Sequence, residues 1–275
     1  MHEQLEGIEG GGLYTHGYGE AVLASHRHRT AQNSAARLLP HLEEGMRLLD
    51  VGSGAGTITA DLARIVGPSG VVAIEVHEGA AAITRTELAR QGLGEVEVRV
   101  GDAHQLPFED DSFDVVHAHQ VLQHLPAPVQ ALAQFRRVTR PGGIVAVRDS
   151  DYEGFRWWPE QPALERWLVL YLRAARANGG TPDAGRRLLA WAHEAGFEEV
   201  SPSASTWLHA TPETRRGWAA TCAGRLVTGP FAEQLEREGW ADADERAALA
   251  EGFRDWAEQR EAWFVLLHGE IIARA

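Results

Sequence analysis

The sequence predicts an α/β fold built on a doubly wound, mostly parallel sheet. Three observations point there. Between residues 46 and 150, apolar runs of strand length alternate with longer stretches whose apolar residues recur at helical spacing. The first run, "LLDVG", leads straight into a glycine cluster that opens a helix. The 275-residue chain is 44% hydrophobic and 24% charged, enough apolar content for one large domain with a sheet covered on both faces.

Taken in order, residues 1–41 read as an N-terminal segment, helical from Glu20 to His41 and stopped near Pro40. Strands follow at "RLLDVG" (47–52), "GVVAIEV" (70–76), "VEVRVGD" (96–102), "FDVVHAH" (113–119) and "IVAVRDS" (144–150). Helices fall between them at 58–67, 78–93 and 128–140, the last stopped by Pro141-Gly142-Gly143. Strand–helix alternation of this length gives βαβ units, whose ligands bind beyond the carboxyl ends of the strands. Residues 42–275 read as the main domain, with helical insertions at about 155–180 and 212–261. The strand at 198–210 and the last strand at 262–275 are separated by the second insertion, read as a cap.

Composition excludes several classes. All 26 basic residues are arginine. Without lysine there is no Walker A loop and no Schiff-base chemistry. A formal net charge of −13 disfavours nucleic acid or an anionic membrane as the main partner. One cysteine, Cys222, fits a reducing cytoplasm, and the polar N-terminus lacks the apolar core of a signal peptide. A homo-oligomer is compatible with the sequence.

Gly52-Ser53-Gly54-Ala55-Gly56 lies between a strand and a helix, where glycines let the backbone approach a ligand. Its spacing is one residue shorter than the G-x-G-x-x-G of dinucleotide-binding folds. Glu75 ends the second strand, where a carboxylate can accept both hydroxyls of a ribose. Asp102 ends the third, within reach of an adenine amino group.

The series "LLDVGSGAGT", "VVAIEV", "VRVGDAHQLPFEDDSFDVV", "VLQHL" and "RRVTRPGG" resembles the class I S-adenosylmethionine-dependent methyltransferases, and most closely their ubiquinone/menaquinone-biosynthesis-like branch. The resemblance implies a Rossmann-like, seven-stranded sheet with N-terminal helices over the site. It also implies S-adenosyl-L-methionine as cofactor and S-adenosyl-L-homocysteine as product. By position, Gly52, Ser53 and Gly54 would lie against the methionine moiety and Glu75 would hold the ribose. Val76, Asp102 and Ala103 would contact the adenine, and His119 and Gln120 would flank the sulfonium. One departure is "EVHEG", which replaces an acidic-x-Ser-Pro sequence and leaves His77 without a role.

Methyl transfer from a sulfonium demands placement more than reactive groups, so catalytic candidates are few. His119 could orient or deprotonate an acceptor. Asp149 and Asp151, at and just past the fifth strand, could take a proton or steady the cationic transition state; a loop-capping role is the equal alternative. Tyr14, with His16 and Tyr18, could close the site, and Arg29 could pair with the methionine carboxylate. "HAHQVLQHL" (117–125) has the look of a metal site, but neither the glycine loop nor the chemistry calls for a metal, so none is expected. His117 reads as a packed core residue and His124 as structural. All nine tryptophans lie beyond residue 156, most of them as core, and the aromatic content suggests a small planar acceptor such as an indole or phenol of secondary metabolism. The alternatives are quinone-type C-methylation, a nucleotide-dependent oxidoreductase, or a non-catalytic pathway partner.

Overall fold

The computed structural model describes residues 29–275. Its elements are α1 (Ala31–Ser34), β1 (Leu48–Val51), α2 (Thr57–Val66), β2 (Val71–Glu75), α3 (Glu78–Arg90), β3 (Glu97–Val100), β4 (Phe113–His119), α4 (Pro128–Val138), β5 (Thr139–Ser150) and β6 (Arg156–Trp158). They continue with α5 (Pro162–Ala177), α6 (Leu188–Glu194), β7 (Glu199–His209), α7 (Pro212–Val227), α8 (Pro230–Arg237), α9 (Ala243–Glu258) and β8 (Trp263–Arg274).

The strands form one sheet in the order β3-β2-β1-β4-β5-β8. The first five are parallel and β8 is antiparallel. One edge of β8 carries β5 and then the short β6, while β7 covers the other edge along eleven residues. The expected doubly wound α/β sheet is therefore present, with β6 as an eighth strand. β1 and β2 are buried along their whole length, which is why they read as unbroken apolar runs.

Each face of the sheet has its own core. Leu48, Val115, Ile144 and Ala146 pack under α1, α2 and α3, with Leu38, Leu62 and Leu88. Leu49, Val116, Val145 and Ile271 pack on the other face under α4 and α6, with Leu132, Phe135 and Leu188. A third core joins α5 to the cap helices α7–α9, built on the fully buried Trp167 and Trp256 with Phe253 and Phe264. Truncating either tryptophan to Ala would cost roughly 3–5 kcal/mol.

The helix expected through His41 is shorter. It is described from Ala31 and ends at Ser34. The Thr30 hydroxyl accepts from the Asn33 N–H while the Asn33 side chain accepts from the Thr30 N–H, which starts the helix. Ala35 then leaves helical geometry at φ −137°, and Leu39–His41 form only a 3₁₀ turn around Pro40. Tyr14, His16 and Tyr18 lie outside the described residues. No helix among the described residues is long and apolar enough to cross a membrane.

Candidate active site

The carboxyl ends of β1 to β5 converge on one rim of the sheet, and the residues read as functional follow those ends. After β1, the chain turns through Gly52, Gly54 and Gly56, all at positive φ (72°, 56° and 78°). A Cβ on Gly52 would lie 2.5 Å from Val121 Cγ2, so this position has no room for a side chain. Ser53 is held from the side by Thr84 of α3, hydroxyl to hydroxyl at 3.0 Å, and the Thr84 hydroxyl donates to the Gly54 carbonyl. Ser53 thus stiffens the loop.

Glu75 closes β2 beside this loop, buried, with its Oε1 accepting the Gly54 N–H. Burial pushes its carboxyl up to about 7; the Gly54 bond opposes this and the nearby Asp50 charge adds to it. Beyond Glu75 the Val76 side chain is 41% exposed, an apolar platform at the strand end. Asp102 uses one carboxylate oxygen to accept from the His104 backbone at 2.8 Å and meets the His104 ring at 2.7 Å, and its side chain stays half exposed beside the buried Ala103. A glycine-rich turn, a buried carboxylate at a strand end, an exposed valine and an acidic neighbour together fit a nucleoside with an attached amino acid.

The three histidines after residue 116 part company. His117 Nδ1 meets Asp50 Oδ1 at 2.7 Å, and the other Asp50 oxygen accepts from Thr59 Oγ1 at 2.5 Å. That buried pair ties β4 to β1 and α2. His124 lies on the 3₁₀ turn after β4 beside the Gln123 amide at 3.0 Å. Among the described residues, no group of three or more His, Cys, Asp or Glu is placed to hold a metal ion.

His119 is different. It is buried, and both ring nitrogens lack a hydrogen-bond partner among the described residues. Burial holds its pKa well below the usual value, reinforced by the charges of Arg29 and Arg148, so the ring is neutral. Trp207 lies 5.6 Å away and His268 6.4 Å away, centroid to centroid. Gln120 follows at φ +55°. Its amide oxygen accepts from Arg29 Nη2 at 2.9 Å and its amide nitrogen faces His268 Nε2 at 2.9 Å. His268 Nδ1 donates to the Leu266 carbonyl, so its Nε2 is the acceptor. Arg29 thus reaches the site, through Gln120.

Sequence reasoning missed Arg148, Trp207 and His268. Strand register puts His119 beside Arg148, Arg148 beside Glu270 and Glu270 beside Ser203, a polar row across four strands. Arg148 donates to Glu270 and Ser205 at 2.9 and 3.0 Å and lies 4.7 Å over the Trp207 ring. Burial lowers its pKa to about 10, against the pull of Glu270. The signal is a charge inside an apolar strand, "VAVRDS", next to the two acids.

Those acids are placed elsewhere. Asp151 is a correction to the reading as a base: both oxygens take the Arg186 guanidinium at 2.7 Å, and one also accepts the Gly154 N–H. A carboxylate so paired is a strong structural anchor and a poor proton acceptor. Asp149 is fully buried on the face opposite Arg148 and accepts the Gln123 N–H at 3.2 Å. Burial raises its carboxyl to about 7. It holds the turn after β4 from below.

Comparison with known proteins agrees with this geometry. The methyltransferase-domain family profile matches residues 42–181. An uncharacterized methyltransferase of Schizosaccharomyces pombe is 32% identical over 268 residues, covering 94% of this chain and 95% of that one. A demethylmenaquinone methyltransferase of Parafrankia sp. is 33% identical, covering 72% and 81%. Among solved structures, a Haemonchus contortus phosphoethanolamine N-methyltransferase bound to S-adenosylhomocysteine shares the fold, with a TM-score of 0.54 at 16% identity, covering 87% of this chain and 52% of that one. The chain belongs to the class I S-adenosylmethionine-dependent methyltransferases, and S-adenosylmethionine is its cofactor.

Proposed function

We propose that the enzyme methylates a small aromatic or heterocyclic acceptor, such as an indole or phenol, bound beyond the ends of β4 and β5. The observation that carries this reading is His119: a buried, neutral imidazole with unpartnered nitrogens, next to Gln120 and walled by Trp207. Such a ring can accept a hydroxyl or N–H proton from an acceptor as the methyl group moves.

In this reading Gly52 and Gly54 cradle the methionine part of the cofactor, and Glu75 accepts from the ribose. Val76, Asp102 and Ala103 receive the adenine, while Gln120 and Arg29 face the methionine carboxylate. The cofactor supplies an electrophilic methyl group. The chain aligns the acceptor with it and keeps water out, and placement of this kind is worth on the order of 7–11 kcal/mol.

A second reading, C-methylation of a quinol, is favoured by the likeness to the demethylmenaquinone enzyme. Incubation with isotopically labelled cofactor and a panel of indoles, phenols and quinols, read by mass spectrometry, tests both. Label in indoles or phenols supports the first reading and label in quinols the second. Label confined to protein or RNA acceptors would overturn both.

A further inference from the structure

Three arginines of the cap are buried: Arg215 and Arg225 on α7 and Arg246 on α9. Two have evident structural work. Arg215 donates to the carbonyls of Ala257, Ala210 and Ala262 at 3.0, 2.9 and 3.2 Å, closing the end of α9 onto α7. Arg246 donates to the Ala241 carbonyl at 3.0 Å and to Glu236 at 2.8 Å. Arg225 is only 8% exposed, yet among the described residues it has no hydrogen bond and no ion pair, and its Nε is enclosed without an acceptor.

A guanidinium cannot shed its proton to escape burial. A mostly buried cation with no counter-ion among the described residues destabilises the fold, so its retention calls for a ligand that completes it. Its surroundings name the site. One turn earlier on α7 is the buried Cys222, whose thiol burial pushes up while the Arg225 charge pulls it down. The same charge acts on Tyr152, just past β5, and on His124, just past β4, whose pKa falls to about 3 chiefly through burial. The guanidinium therefore lies near enough to Cys222 and to the residues just past β4 and β5 for its charge to act on His124 and Tyr152. Of the nearby acids, Asp151 is paired with Arg186, and Asp149 accepts the Gln123 N–H through Oδ1 while burial raises its carboxyl to about 7 and its Oδ2 has no partner among the described residues.

We propose that Arg225 binds a carboxylate on the acceptor, so that the substrate is a small aromatic or heterocyclic acid oriented by its anionic end. This rests on the proposed acceptor site. A single planar fork matches one carboxylate in a bidentate pair, and a guanidinium only 8% exposed, with its Nε enclosed, is where such a pair discriminates most against neutral analogues.

The test uses the full chain saturated with S-adenosylhomocysteine and titrated with 2-hydroxybenzoate and indole-3-carboxylate, their primary amides, and phenyl phosphate. The acids are expected to bind at least about tenfold tighter than the amides. Arg225→Gln should erase that preference, and Arg225→Lys should retain part of it. Without acceptor, Arg225→Met should raise Tm, because it removes an uncompensated charge. Equal binding of acids and amides, a preference that survives in R225Q, tighter binding of phenyl phosphate than of either acid, or a lower Tm in R225M would each overturn the proposal. Failure of wild-type protein to bind S-adenosylhomocysteine would instead strike the underlying site assignment, and that titration is run separately.

Discussion

A carboxyl that titrates near 4.5 in water is raised to about 7 at Glu75, chiefly by burial. Ribose hydroxyls donate to the ionised form, so cofactor binding should release a proton. Affinity for S-adenosylhomocysteine should therefore weaken as pH falls below 7, approaching tenfold per unit, and level off above it. Calorimetry in buffers of different ionisation enthalpy reads both effects. Glu75→Gln should bind about 10–100-fold more weakly and lose the pH dependence, as expected for a charged hydrogen bond. An affinity that rises on acidification would exclude Glu75 as the ribose acceptor. His119 stands in the opposite state, kept neutral by burial and by two arginines. His119→Ala should lower turnover of a responsive acceptor by ~100-fold or more with little change in cofactor affinity; unchanged turnover would remove it from the chemistry. At this scale the sequence was legible wherever a residue follows a strand end. It was not legible at Asp151, adjacent in chain to a promising strand end but paired with Arg186, nor at Asp149, which tertiary packing buries with one oxygen on the Gln123 N–H.

The glycine loop and the last strand show how elements position the site. Gly52 combines positive φ with a Cβ direction blocked by Val121, so Gly52→Ala meets both backbone strain of roughly 1–2 kcal/mol and a clash. The loop must shift, and cofactor affinity should fall more than Tm. Gly269 on β8 makes the contrasting case. A Cβ there would fall 1.9 Å from the Gly185 carbonyl oxygen, which is backbone and cannot turn aside. Gly269→Ala should cost stability by 1–3 kcal/mol or more, seen in chemical denaturation, because β8 lies between β5 and β7. If it unfolds like wild type, the packing of residues 184–187 on the sheet is not as described. The first glycine stands in a recognisable motif; the second is dictated only by what packs against it.

Across the whole molecule, two sets of buried groups oppose each other in pH. His119 and His268 are held well below their usual pKa, His124 falls to about 3 and His209 to about 4, so native protein leaves four rings unprotonated that the unfolded chain protonates below 6.5. Glu75 and Asp149 keep their protons up to about 7, whereas unfolded they lose them near 4.5 and 3.8. Between pH 4.5 and 6.5 the unfolded chain binds four extra protons at the histidines and lacks two at the carboxyls, a surplus of two. Stability should thus fall on acidification through that window. A Tm that rises from pH 6.5 to 4.5 would mean that the carboxyls dominate.

The sequence by itself determined the alternation of strands and helices over residues 46–150, the glycine turn, the acidic residue closing β2 and the cofactor class, because each is a local pattern read within about twenty residues. Tertiary structure decided what no local pattern carries. Register across four strands set Arg148 beside His119, β7 and β8 brought Trp207 and His268 to the same rim, and the cap buried Arg225 with no counter-charge among the described residues. Residues 29 to 268 meet there because sheet pairing and burial act between segments far apart in chain, and those long-range contacts convert a cofactor-binding fold into a particular active site.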